Sequence, residues 1–412
     1  MQNTKKKRIL NISFLYFLKW FVVVCIILLA MALRAALFPI DTLDYKLFIS
    51  WYDFIHSHGG FAALKYKFSN YNASYLYLLA LATYIPLSKT IIIKLISVIF
   101  DCLLALMAYL IVRLKYERLS IPIIAGLVVL LTPTIMINSA LWGQCDSIYA
   151  SFSLGGLYFL LRKQPLWAFI LFGLAVSFKP QALFLFPLLF VLLINGEVRL
   201  KFFLIIPAVY LITLLPACLV GRNFIDLLTT YKLRLDNPRH LLVLNAPTLY
   251  QWIPWGTQRN LWEILGLLLT CSAIVILSFI VFISRRRMTH DILVKLALVF
   301  VLMMPFLLPE MHDRYFYLAD VISLIYAFYF PDYFYVAALN QLFSLISYIP
   351  FLARVNMNQQ YNALIVLALV IITIRDLVKT LSSEGAREER ALLTMMVNLG
   401  SSAKSSGLLG KR

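Results

Sequence analysis

The residues best suited to chemistry in this chain stand at the ends of apolar runs. Trp142, Gly143, Gln144, Cys145, Asp146 and Ser147 place an indole, an amide and an acid where a membrane helix should leave the bilayer. Two further polar groups occupy equivalent places: Asp41 with Asp44, and Glu310 with His312, Asp313 and Arg314. Lys179, followed by Pro180 and Gln181, holds an ammonium at the mouth of a helical hairpin. Ionisable groups beside lipid are expensive and usually have a job.

Each group admits a chemical and a plain reading. Asp44 shares a helical face with Phe48 and Trp51, and an acid half sheltered by aromatics suits a general base. Asp41 or Asp44 would equally serve as a helix N-cap. Gln144 and Asp146 beside Trp142 suit carbohydrate hydroxyls, which need paired polar partners and an aromatic plane, while Asp146 could also cap the next span. Lys179 either snorkels to lipid headgroups or meets a phosphate at the membrane surface. His312, Asp313 and Arg314 crowd an imidazole, a carboxylate and a guanidinium among three aromatics; a simple Asp313–Arg314 pair is the plain reading and a functional site the favoured one. Asn70 to Tyr75 reads as an interfacial aromatic belt ahead of a sugar-stacking surface. His56 and His58 mark a turn and have no metal-ligand company.

Hydrophobic residues make up 62% of the 412 positions and charged residues 14%. With a mean hydropathy of +0.85, a soluble core of this size could not be covered by its own polar surface. Apolar stretches of about 14 to 25 residues recur along the chain, the reach of membrane helices rather than of barrel strands. The formal charge of +18 is spread over short loops, which points to membrane orientation and away from nucleic acid. The five cysteines lie in or beside apolar segments, with no metal-type spacing and no disulfide framework.

Basic connections at 113–118, 162–163, 197–201 and 285–287 alternate with connections at 138–146, 179–181, 310–314 and 352–359 that carry few positive charges. The positive-inside rule puts the first set, and both termini, in the cytoplasm. The alternation holds if 73–112 crosses once, so that 73–87 lies along the membrane or re-enters it. The expectation is an all-α polytopic membrane protein with about twelve transmembrane helices, eleven to thirteen, in one domain over 1–381. A first external loop spans 39–90 and carries membrane-lying helices, a second spans 221–260, and 382–412 is a flexible cytoplasmic tail. The second loop holds Arg222, Lys232, Arg234, Arg239 and Arg259 against Asp226 and Asp236, with Trp252 and Trp255 near Pro247 and Pro254. Such a loop suits anionic lipid or a lid.

Asp44 to Trp51, Gly59-Gly60, Asn70-Tyr71-Asn72, Trp142 to Asp146, Phe178 to Gln181 and His312 to Phe316 occur in one order. Together, over roughly residues 38–330, they resemble the GT-C class of integral-membrane glycosyltransferases, most nearly the bacterial relatives of the GPI-anchor mannosyltransferases. Relatives often carry proline after the Asn-Tyr pair, where this chain has Asn72-Ala73. The resemblance implies inverting hexosyl transfer, with mannose a candidate hexose, from a polyprenyl-phosphate-linked donor to a glycan or glycolipid acceptor at the outer face of a plasma membrane. By position, Asp44 would be the catalytic carboxylate, with Asp41 second. Gln144 and Asp146 would help bind acceptor or donor sugar, Trp142 and Gln181 would also contact substrate, and Lys179, His312 and Arg314 would face the donor phosphate. Some relatives use a divalent cation, which Asp41, Asp44 and Asp146 could recruit, though nothing in the spacing requires it. A transporter or lipid-linked-sugar flippase is the main rival, with Lys94 and Asp101 inside one apolar run as its support, and a silent scaffold is a third reading.

Overall fold

The computed structural model describes residues 2–230, 241–254 and 258–382, with side chains from Tyr16 onward. Lys232, Arg234, Asp236, Arg239, Trp255 and the tail from 383 lie outside the described residues. The chain begins with α1 (Gln2–Leu37), followed by α2 (Leu43–Ser57), α3 (Ala73–Ala82) and α4 (Lys89–Arg113). A bent pair follows, α5 (Ser120–Leu131) and α6 (Pro133–Met136), then α7 (Asp146–Leu161), α8 (Pro165–Phe178), α9 (Phe186–Ile194), α10 (Ile205–Leu219) and α11 (Phe224–Leu228). The last five are α12 (Arg259–Ile283), α13 (His290–Leu307), α14 (Tyr317–Tyr329), α15 (Phe334–Leu352) and α16 (360–382). The one sheet among the described residues pairs two-residue strands in parallel, β1 (Val243–Leu244) and β2 (Met311–His312).

Helix limits follow from local chemistry. Thr42, Ser88 and Thr289 each accept a backbone N–H at the start of α2, α4 and α13, satisfying donors the helix leaves unpaired. Asp41 and Asp44 therefore do not cap α2, as the plain reading would have it; the hydroxyl of Thr42 does. Pro133 has no N–H to continue α5, and the chain bends there by 47°.

Among the described residues, six helices are long and apolar enough to cross a bilayer, or seven if the bent pair counts as one span. α13 is apolar and buried almost all round, which makes it the centre of the bundle. α1, α10 and α12 turn large apolar side chains such as Leu28, Ile212, Leu219 and Phe279 outward, faces suited to acyl chains rather than to water. α7 packs on α4 and α8, α8 on α10, and α14 on α13 and α15. α3 has ten residues, about 15 Å of rise against roughly 30 Å of hydrocarbon, so it is too short to span. It packs instead on α2 and on the turn Gly60–Lys65.

The buried ionic side chains inside the bundle are engaged by polar partners. Arg34 and Asp101 pair at 2.9 Å with both side chains buried; Ser139 donates to Asp101 at 2.6 Å and Arg34 donates to the Leu130 carbonyl at 2.7 Å. One network thus joins α1, α4 and the bent pair. Lys295 meets Asp376 at 2.7 Å, tying α13 to α16. Asp320 on α14 accepts from Asn340 and Ser344 on α15.

Removing one partner of a buried pair strands the other charge. Asp101→Leu is expected to lower stability by about 3–5 kcal/mol, and Arg34→Met with Asp101→Leu to recover most of that loss. Unfolding in mixed micelles, followed by circular dichroism, would check both.

Candidate active site at Asp44, Asp146 and Arg314

The site begins at a corner. After α6 the chain makes a π-type turn over Ile137–Leu141, then Trp142 donates its N–H to the Ile137 carbonyl and Gln144 donates its own to Asn138. Gly143 sits at φ +75°, and a Cβ there would stand 2.6 Å from Cδ2 of Tyr45. Only glycine fits both the left-handed backbone and the tyrosine ring against it. Thr42 Oγ1 donates to the Trp142 carbonyl at 2.9 Å, so the hydroxyl that caps α2 also joins α2 to the corner. Lys94, buried on α4, donates to the carbonyls of Phe38, Ile40 and Leu141 and lies over the Tyr45 ring. It ties the chain entering α2 to the corner.

Asp44, in the first turn of α2, receives three donors on Oδ2: Trp142 Nε1 at 3.1 Å, Gln144 Nε2 at 2.6 Å and Arg314 Nη1 at 3.4 Å. Among the described residues no hydrogen bond reaches Oδ1, and the side chain is 29% exposed. Asp146, first residue of α7, accepts from Lys179 at 2.6 Å and Asn138 at 2.9 Å and pairs with Arg314 at 3.5 Å. The N-cap position is Cys145, so Asp146 does not cap α7. Arg314 therefore faces Asp44, Asp146 and, at 3.9 Å, Asp313. Burial opposes its charged form, but Asp44 and Asp146 outweigh that and raise its pKa.

Lys179 is 2% exposed and held by Asp146, with Gln144 Oε1 at 3.4 Å and the Tyr71 ring below. Burial opposes its charge too, yet the Asp146 carboxylate raises its pKa overall. Neither headgroup snorkelling nor a free charge for phosphate describes it; it braces Gln144 and Asp146. Trp142 is fully buried, with Phe351 stacked on its ring at 4.7 Å and the Arg314 guanidinium over the ring at 5.5 Å. The expected sugar-stacking plane is thus covered, and Trp142 serves as a donor to Asp44. Gln181 is buried away from these contacts, its Oε1 unpartnered. Asp41 is exposed and outside the cluster. His312 lies in β2 with its ring against Tyr315 at 5.0 Å.

The cluster does not fit a divalent cation. Arg314 stands where Asp44 and Asp146 converge, Asp41 is apart, and no group of three or more metal-ligating side chains occurs among the described residues. Tyr71 and Tyr75 pack with Phe48 and Trp51 at ring separations of 5.0 to 5.6 Å. They form the floor of α2 rather than an interfacial belt. Asn138 completes the cluster unforeseen as a site residue, although it opens the polar stretch that ends at Asp146, and Asp313, singled out with His312 and Arg314, joins it beside Arg314.

Two expectations follow. Gly143→Ala must strain the backbone and displace Tyr45, at a cost of roughly 2–4 kcal/mol in unfolding measurements. Burial pushes the Asp313 carboxyl up to about 7 from 3.8, against the pull of Arg314 and with help from Asp44 and Asp146. Between those values the folded chain keeps a proton that the unfolded chain releases, so this contribution to stability falls as pH rises. Asp313→Asn should reduce the drop in Tm between pH 5 and pH 7.5, measured beside the native chain.

Compared with known proteins, the sequence matches no protein family and no curated protein.

Proposed function

We propose that this protein is a GT-C type glycosyltransferase that moves a hexose from a polyprenyl-phosphate donor to an extracytoplasmic glycan or glycolipid, with inversion. The observation that carries the reading is the carboxylate of Asp44, anchored through one oxygen by Trp142, Gln144 and Arg314 while the other is left open. A base needs that arrangement: fixed orientation and a lone pair facing the substrate. Asp44 Oδ1 takes the proton of the acceptor hydroxyl as its oxygen bonds to the anomeric carbon. The bond from that carbon to the phosphate oxygen breaks on the opposite face, and the lipid phosphate leaves with the electron pair. As Asp44 becomes neutral, Arg314 loses one counter-charge and can meet the charge growing on the phosphate. Lys179 acts here as a positioning residue, through Gln144 and Asp146.

The twelve-crossing topology belongs to this proposal. The shorter helices α7, α8, α9 and α14 are lined by protein on most sides, which permits crossings shorter than a lipid-facing helix needs. Cytoplasmic termini and an outward-facing site follow from the same charge alternation, and a plasma-membrane location from the resemblance.

The rival, a transporter or flippase, draws on the bend at Pro133, since broken helices often line transport sites. Lys94 and Asp101, its other support, are both engaged by internal partners.

Asp44→Asn is nearly isosteric and is expected to lower sugar transfer from a polyprenyl-phosphate donor by at least roughly a hundredfold while leaving the unfolding midpoint close to native. Normal turnover by this variant would overturn the base assignment, and translocation of the donor without a new glycosidic bond would favour the rival.

A further inference from the structure

A cavity of about 730 Å³ lies outside the carboxylate cluster, between 241–254 and 356–360. Its size falls within the range of about 300–1,000 Å³ usual for small-molecule sites. It shares a wall with the candidate active site. The Leu242 and Leu244 carbonyls on its lining accept the backbone N–H groups of Glu310 at 2.7 Å and Asp313 at 3.1 Å, and Arg314, the next residue, binds Asp44.

The lining selects its occupant. Six amide side chains face it, among them Asn245, Gln251 and Gln359, and its one charged residue, Arg259, is closed in ion pairs with Glu263 and Glu310. A phosphate or acidic lipid would find no free cation there among the described residues. Gln251, Asn358 and Gln360 already bond within the protein, but an acyl chain would leave the buried Gln359 Nε2 without a partner, at a cost. Amides carry donor and acceptor on one plane and match neighbouring hydroxyls. Two details point to a ligand. Gln359 is 1% exposed, and its Nε2 has no hydrogen-bond partner while its Oε1 accepts from Asn362. Trp252 is 40% exposed at the rim, where an indole face can stack on a sugar ring.

We propose that this cavity holds the acceptor, and that the acceptor is a neutral oligosaccharide whose terminal hydroxyl reaches Asp44. The inference rests on the glycosyl-transfer reading, but the binding it requires is independent of catalysis. The full chain in nanodiscs of neutral lipid would be titrated with mannotriose, maltotriose and N,N′,N″-triacetylchitotriose, with no donor present, and followed by saturation-transfer NMR. At least one trisaccharide should bind, inorganic phosphate should not displace it, and Trp252→Ala and Gln359→Leu should each weaken it roughly tenfold. Trp252 is at the surface, so its variant keeps the test valid should Gln359→Leu fail to fold. The proposal is overturned if none of the three binds, if phosphate competes, or if Trp252→Ala binds as the native chain does. Sugar binding here without transfer from any lipid donor would sink the glycosyltransferase reading and leave the cavity assignment intact. Transfer with an unchanged acceptor KM in both variants would do the reverse.

Discussion

A guanidinium inside an apolar bundle has to be matched by negative charge, and at Arg314 the carboxylates of Asp44 and Asp146 do the matching, with the Asp313 carboxyl beside them at 3.9 Å. Asp44 comes from the start of α2, Asp146 from the start of α7, and Asp313 from the neighbouring residue. The cost of an unpaired buried ion is several kcal/mol, larger than most single contacts in the protein. Arg314 therefore acts as a fixed point against which α2 and α7 are held. The same pairing orients Asp44, because Arg314, Trp142 and Gln144 all address its Oδ2.

That fixed point depends on a backbone path that few sequences would allow. The π-type turn over Ile137–Leu141 and the left-handed Gly143 bring the Trp142 and Gln144 side chains back toward α2. Carbonyls exposed by this irregular path are taken up by Lys94 and Thr42, as they must be where water is scarce. Deeper in the bundle, the Arg34–Asp101 pair holds the bent helices that carry the corner. Charges that looked like a permeation path are thus supports for the corner. Stability and site geometry share these residues, so damage to one is damage to the other.

Much of this was legible in the chain. Apolar runs mapped closely onto helices, because in a bilayer the backbone must satisfy its own hydrogen bonds and a long apolar segment has little choice but to be helical. The three polar corners stood out because charge beside lipid is costly, and Asp44, Asp146 and Arg314 do converge. What sequence could not yield was pairing. Lys179 and Asp146 are 33 residues apart, and nothing local says that the ammonium is spent on that acid rather than on a phosphate. Trp142 could equally have faced a sugar; its burial against Phe351 is a tertiary fact. The cavity was invisible for a similar reason, since 241–254 and 356–360 meet only through the fold.

The charge balance of the cluster constrains any mechanism built on it. Asp44, Asp146 and Asp313 face Lys179 and Arg314, three acids against two bases. With the carboxyl of Asp313 pushed up to about 7, a proton there leaves two negative and two positive charges, and the cluster is neutral. A neutral cluster offers no surplus attraction to a phosphate at rest. On the proposed mechanism the surplus arises during the reaction, when Asp44 takes the acceptor's proton and one positive charge is left over as the phosphate departs. Proton uptake and leaving-group stabilisation are then two sides of one displacement of charge across Arg314, and the donor is favoured in the transition state more than in the ground state.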